Sequence, residues 1–176
     1  MKKLLVILLM IALAITGALM IAGISKKIQV QNQLAGRIKR LPEFSLSTLN
    51  DISFSSTEIT EGPLMIVWFH PECEHCRYEI SELFDSEIFS TGITVMLVSR
   101  AARDSVISFL NQFVLPDSND LIALIDTSFV FNDIFGNAVI PSVFLYDKEL
   151  NLVDIFPGEY KIESILDRLD DDEQDK

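Results

Sequence analysis

Six apolar residues without a break, Leu64 to Phe69 (LMIVWF), are followed four positions on by Cys73 and then by Cys76. The stretch after them carries Tyr78, Ile80, Leu83, Phe84 and Ile88 at helical spacing. A strand with no polar position has both faces covered, and covering both faces of a sheet takes helices on either side with parallel connections between strands. The alternation continues along the chain. Ile93 to Val98 (ITVMLV) is a second such strand, and Asp104 to Phe113 places Val106, Ile107, Leu110 and Phe113 on one helical face. Leu121 to Ile125 is a third apolar run, and Ser128 to Phe135 reads as a short helix stopped by Gly136. Val143 to Tyr146 and Leu152 to Phe156, parted by the polar turn Asp147 to Asn151, read as a β-hairpin. Ile162, Ile165 and Leu169 mark a final amphipathic helix. The expected fold class is α/β, a central mixed sheet flanked by helices.

A chain of 176 residues has room for one such domain, and what is left over is the N-terminus. After Met1-Lys2-Lys3, Leu4 to Ile24 is 21 residues without a charge. As a helix it would cover about 30 Å, one bilayer core. This run explains a mean hydropathy of +0.32 in a chain of net charge −12. Residues 1–25 are therefore expected to form a transmembrane signal-anchor and residues 26–41 a polar, basic juxtamembrane linker. The competing reading is a cleaved signal peptide, whose apolar core is usually about 7–15 residues and ends at a small-x-small site; Ala22-Gly23 makes a poor one. Counting Lys2 and Lys3 against Lys26, Lys27, Arg37, Lys39 and Arg40 favours a cytoplasmic C-terminus. The layout of two lysines followed at once by an apolar run favours the opposite, with the domain outside.

Without Lys2 and Lys3 the chain carries 12 basic against 26 acidic residues. Such a surface repels phosphate backbones and anionic lipid, which excludes nucleic acid as a partner. Six acids in the nine residues Asp167 to Asp175 read as a solvated stretch, with residues 171–176 an acidic tail.

Cys73 and Cys76 are the two cysteines of the chain, spaced C-x-x-C on a strand-to-helix turn. At a helix N-terminus the unpaired N–H groups and the positive end of the dipole favour a thiolate on the first cysteine. The second, one turn on, can attack a mixed disulfide formed by the first. Disulfide exchange of this kind needs neither metal nor cofactor. The alternatives are half a zinc site, inert core thiols, or a Cu(I) site made of two soft thiolates. A structural zinc takes four ligands, and a second C-x-x-C or H-x-x-x-H is missing. His75, directly before Cys76, would stabilise a thiolate when cationic and make the disulfide more oxidising, whereas Glu72 and Glu74 act in the opposite sense. His70 reads as a strand-end residue bonded to backbone or water.

The order strand, helix, strand, helix, hairpin, helix is that of the thioredoxin fold. The segments FSLSTLND, LMIVWFHPECEHCRYE and VIPSVFLYDKELNLVDIFPG resemble the TlpA-like membrane-anchored thiol-disulfide oxidoreductases, which include the cytochrome c maturation reductases. The likeness runs from Pro42 to about Leu169, setting an expected thioredoxin-like domain over 42–170. It implies a short N-terminal β-hairpin at Phe44 to Phe54 and a domain held on the extracytoplasmic, periplasmic face of the bacterial cytoplasmic membrane. It implies Cys73 as nucleophile, Cys76 as resolving cysteine and Glu79 as an active-site carboxylate. Glu79 is close enough to tune a thiol or shuttle a proton, and equally a glutamate on a helix surface can simply be solvated. Ile140-Pro141 resembles the family's cis-proline loop, which faces the cysteines and pairs with the backbone of a bound substrate; X-Pro bonds are otherwise mostly trans.

The implied activity is reduction of extracytoplasmic protein disulfides, with protein thiols and disulfides as partners and a membrane or periplasmic electron donor. Three departures leave the redox potential and substrate range open: Glu72 stands where the family has Trp, His75 where it has Pro, and Val67 where thioredoxin has a buried acid. A peroxidase is a further alternative because peroxiredoxins share the architecture. Their P-x-x-x-[ST]-x-x-C element is absent: Ile66 and Phe69 stand where the proline is needed.

Overall fold

The computed structural model describes residues 36–116, 120–136 and 138–174. The expected membrane anchor, residues 1–25, lies outside them, as does the linker up to residue 35. Among the described residues no helix is long and apolar enough to cross a membrane.

Strand β1 (Ser45–Thr48) and β2 (Ser53–Ser55) form the N-terminal hairpin, followed by β3 (Leu64–Phe69) and helix α1 (Glu74–Asp85). Next come β4 (Thr94–Ser99), α2 (Arg103–Leu110), β5 (Leu121–Ile125) and α3 (Val130–Phe135). The hairpin β6 (Ser142–Tyr146) and β7 (Leu152–Pro157) precedes α4 (Ile162–Gln174). The described strands make one sheet in the order β2-β1-β5-β4-β3-β6-β7. β3 runs parallel to β4 and β4 to β5, while the hairpins join antiparallel.

The unbroken apolar run of β3 follows from its central place. Met65, Val67 and Phe69 face a core shared with Cys76, Ile80 and Leu83 of α1, Val106 and Phe109 of α2, and Ile162 and Ile165 of α4. Leu64, Ile66 and Trp68 point the other way, into a core with Phe44, Phe131, Phe135 and Ile38. That second core is largely aromatic. Phe131 stacks on Trp68 at 4.8 Å between ring centres and on Phe135 at 4.1 Å. The helix carrying Phe131 starts later than Ser128 because its cap comes from further back. Buried Asp126 accepts the N–H groups of Val130 and Phe131, both at 2.9 Å, and satisfies two of the four donors the helix's first turn leaves open.

Two boundaries differ from those read in the sequence. The folded unit begins at Arg37, before Pro42. Ile38 is fully buried, the Tyr146 hydroxyl donates to its carbonyl at 3.2 Å, and Leu41 N–H donates to Leu150 O at 2.9 Å. The end of the linker is thus docked on the β6–β7 turn, an attachment made by isolated apolar residues that leaves no periodicity to read. At the other end the acidic run is mostly helix: α4 continues to Gln174, with Asp167, Asp170 and Asp171 exposed and Ile162, Ile165, Leu166 and Leu169 against the core.

Register decides what meets at the site. β6 begins at Ser142, paired with Trp68 near the end of β3, and β7 ends at Pro157, paired with Ser142. The turn leading to Cys73, the Ile140-Pro141 loop and the β7–α4 connection therefore share one end of the sheet.

Candidate active site

Cys73 is the N-cap of α1, and its Sγ accepts the N–H of Cys76 at 3.2 Å. The turn is closed by Cys73 N–H donating to His70 O at 3.0 Å and Arg77 N–H donating to Cys73 O at 3.1 Å. Both cysteines are unbonded thiols, Cys73 half-buried and Cys76 buried. Burial, followed by the adjacent Cys73 sulfur, pushes the Cys76 thiol well above its ordinary range, and the charge of Glu79 adds to this. The pair is thus asymmetric. One sulfur is half-buried at the helix N-terminus, and the other is buried and held as a thiol beneath it. Brief iodoacetamide treatment at neutral pH is expected to alkylate Cys73 about 100-fold faster than Cys76, read from peptide masses; equal labelling would contradict this asymmetry.

Glu79 is not solvated. It lies only 2% exposed, one turn after Cys76 on the face that also carries Ile80 and Leu83, because positions three and four apart share a helix face. Its Oε1 accepts the backbone N–H of Tyr160 at 2.7 Å. Burial lifts its carboxyl from the ordinary 4.5 to about 7, against the pull of the Tyr160 N–H; Glu159 adds to the rise, while the Tyr160 hydroxyl and His75 oppose it. A carboxyl of that kind is part base and part acid at neutral pH.

His75 is exposed and forms an ion pair with Glu159. His70 Nδ1 accepts Glu72 N–H at 3.3 Å, a turn contact of its own. The Ile140-Pro141 bond is cis, Pro141 is buried and Val139 beside it is exposed. The Pro141 carbonyl accepts Gly158 N–H at 2.9 Å. Residues 158–160 thus reach three parts of the site: Gly158 the Pro141 loop, Glu159 His75, and Tyr160 Glu79. Sequence reasoning missed this strap. Its single local signal is Gly158, which takes a φ of +84° as the chain leaves β7. Among the described residues no cluster of three or more His, Cys, Asp or Glu could hold a metal ion.

No protein-family model and no curated protein matches the sequence. Solved structures do match. A secreted Mycobacterium tuberculosis disulfide oxidoreductase homologous to E. coli DsbE is similar with a TM-score of 0.63 at 16% identity, over 77% of this chain and 98% of that one. A thio-disulfide isomerase from Thermus thermophilus is similar with a TM-score of 0.60 at 22% identity, over 74% and 92%. A thiol peroxidase from Chromobacterium violaceum is similar with a TM-score of 0.61 at 14% identity, over 79% and 88%. The chain has the thioredoxin-like fold.

Proposed function

We propose that this chain is a membrane-tethered thiol-disulfide oxidoreductase that reduces extracytoplasmic protein disulfides in a bacterium. The observation that carries the reading is the asymmetric pair: half-buried Cys73 capping α1, and buried Cys76 one turn below it above the Glu79 carboxylate. The oxidoreductases among the structural neighbours support it, and the 21-residue uncharged run supports the tether.

In the reaction, the Cys73 thiolate attacks one sulfur of a substrate disulfide, forming a mixed disulfide and expelling the other sulfur as a thiolate. The Cys76 thiol then gives its proton to ionised Glu79, and its sulfur attacks Cys73 Sγ, releasing the second substrate thiolate. Two electrons have moved to the substrate, leaving Cys73 and Cys76 joined by a disulfide. Glu79 passes its proton to the departing thiolate or to water. A dithiol electron donor at the membrane or in the periplasm restores the pair. Pro141 and the exposed backbone before it would hold the substrate chain beside Cys73.

The test is an equilibrium redox titration in glutathione or dithiothreitol buffers, with free thiols counted by mass after alkylation. A potential near about −270 mV is the expected result; one near about −120 mV would overturn the reductase reading and make the protein a disulfide donor governed by His75. Failure to form the Cys73–Cys76 disulfide at any poise would overturn exchange altogether and turn attention to Cu(I) binding by the two thiolates. Rapid consumption of peroxide would favour the peroxidase, whose active-site proline element this chain lacks.

A further inference from the structure

The strap between β7 and α4 touches the site with a side chain that exchange through two cysteines does not itself require. The Tyr160 hydroxyl and Glu79 Oε2 are both buried, and neither makes a well-formed hydrogen bond among the described residues. Each nevertheless acts on the other's ionisation. Tyr160 N–H already holds the second oxygen of the same carboxylate at 2.7 Å. One residue thus bonds one oxygen of this carboxylate through its backbone and bears on the same group's ionisation through its side chain.

We propose that Tyr160 is a positioning residue for the resolving step: its backbone N–H anchors Glu79 and its hydroxyl sets how readily that carboxylate takes the Cys76 proton. The proposal rests on the exchange reading above, with Glu79 as base. Burial and the nearby Glu79 and Cys76 charges push the phenol well above its ordinary range, so it stays protonated and remains a donor near neutral pH. A donor to an ionised carboxylate stabilises the charged form. The other groups that act on Glu79 are Glu159 from the strap, which opposes ionisation, and His75 from α1, which favours it when cationic. Both belong to the exposed ion pair, where solvent screens them; Tyr160 acts from inside. Gly158 N–H donating to Pro141 O ties the same strap to the loop proposed to hold substrate, and Tyr160 lies two residues along the chain from that contact.

The test uses the full chain, reduced, mixed with a nitrobenzoate aryl disulfide whose thiolate product is coloured. The fast phase loads Cys73 and releases one coloured thiolate. The second phase, release of the other as Cys76 closes the disulfide, reports the resolving step. Its rate is followed against pH around neutrality. Tyr160→Phe removes the hydroxyl and keeps the N–H; its midpoint is expected to move up by roughly half a pH unit or more, with slower release at neutral pH. A fluorinated tyrosine placed at 160, nearly the same size and a stronger donor, is expected to move the midpoint down, which a purely structural role would not do. Glu79→Gln is expected to flatten the profile, with Tyr160→Phe adding nothing in that background.

An unmoved midpoint in Tyr160→Phe, or a shift of the same sign with the fluorinated residue, would overturn the proposal. An unchanged profile in Glu79→Gln would overturn it at its premise while leaving exchange intact, since the second phase persists. Absence of any second phase in the unaltered chain would instead overturn the exchange reading.

Discussion

Replacing Cys73 by serine is expected to abolish reduction of protein disulfides, by at least about a thousandfold, while Cys76→Ser accumulates substrate covalently attached to Cys73. The two outcomes differ because the two sulfurs do. A serine hydroxyl at the N-cap of α1 can still accept the N–H at position 76, so the turn survives, but it does not ionise near neutral pH and attacks no disulfide. Cys76 cannot substitute for it, being fully buried and held protonated. In Cys76→Ser the half-buried Cys73 still performs the first exchange, and no neighbouring thiol remains to release the product. Non-reducing gels with mass spectrometry of the trapped species read both variants. Appreciable turnover by Cys73→Ser, or no dithiothreitol-sensitive adduct on Cys76→Ser after incubation with a disulfide-bonded protein, would count against the assigned roles.

That much was visible in one sequence because the features concerned are local. LMIVWF reads as a central strand since both its faces are covered, and Cys73 reads as a helix cap because the helical stripe starts directly after it. Glu79 stood out only through a family resemblance. A glutamate between apolar helix positions scores as surface, and nothing in the spacing shows that the adjacent chain will supply a backbone donor for it.

The strap was less legible still. Gly158, Glu159 and Tyr160 lie some eighty positions from the cysteines in sequence and arrive there through the pairing of Ser142 with both Trp68 and Pro157. Register of that kind is set by side chains across the sheet, not by residues near the site. The same reasoning covers the two boundaries: Ile38 and Leu41 dock singly on a turn, and beyond Leu169 the acidic end of α4 has no apolar position from which its last turn could be read.

Glu79→Gln is expected to leave stability unchanged at acid pH and to raise it by roughly 3 kcal/mol above neutrality, the interval between 4.5 and about 7 expressed as free energy. The sign follows from proton counting. Below about pH 4.5 the carboxyl is protonated in both the folded and the unfolded chain and contributes nothing. Between 4.5 and about 7 the unfolded chain releases the proton while the folded one keeps it, so unfolding gains ground with each step in pH; above about 7 the loss is complete. Glutamine is neutral throughout, keeps an oxygen for the Tyr160 N–H and fits the same space, so it escapes that loss. Denaturant unfolding of the reduced full chain and of the variant at several pH values isolates this group, because the remaining carboxylates are common to both. An advantage that fails to grow between pH 4.5 and 7 would mean that the folded carboxyl loses its proton in the ordinary range and is already charged well below neutrality, and would remove the raised proton affinity on which its part in the resolving step is argued. An advantage that grows as expected, beside slower closure of the Cys73–Cys76 disulfide, would mean that the fold tolerates a destabilising buried charge at the one place where a proton must leave a buried thiol.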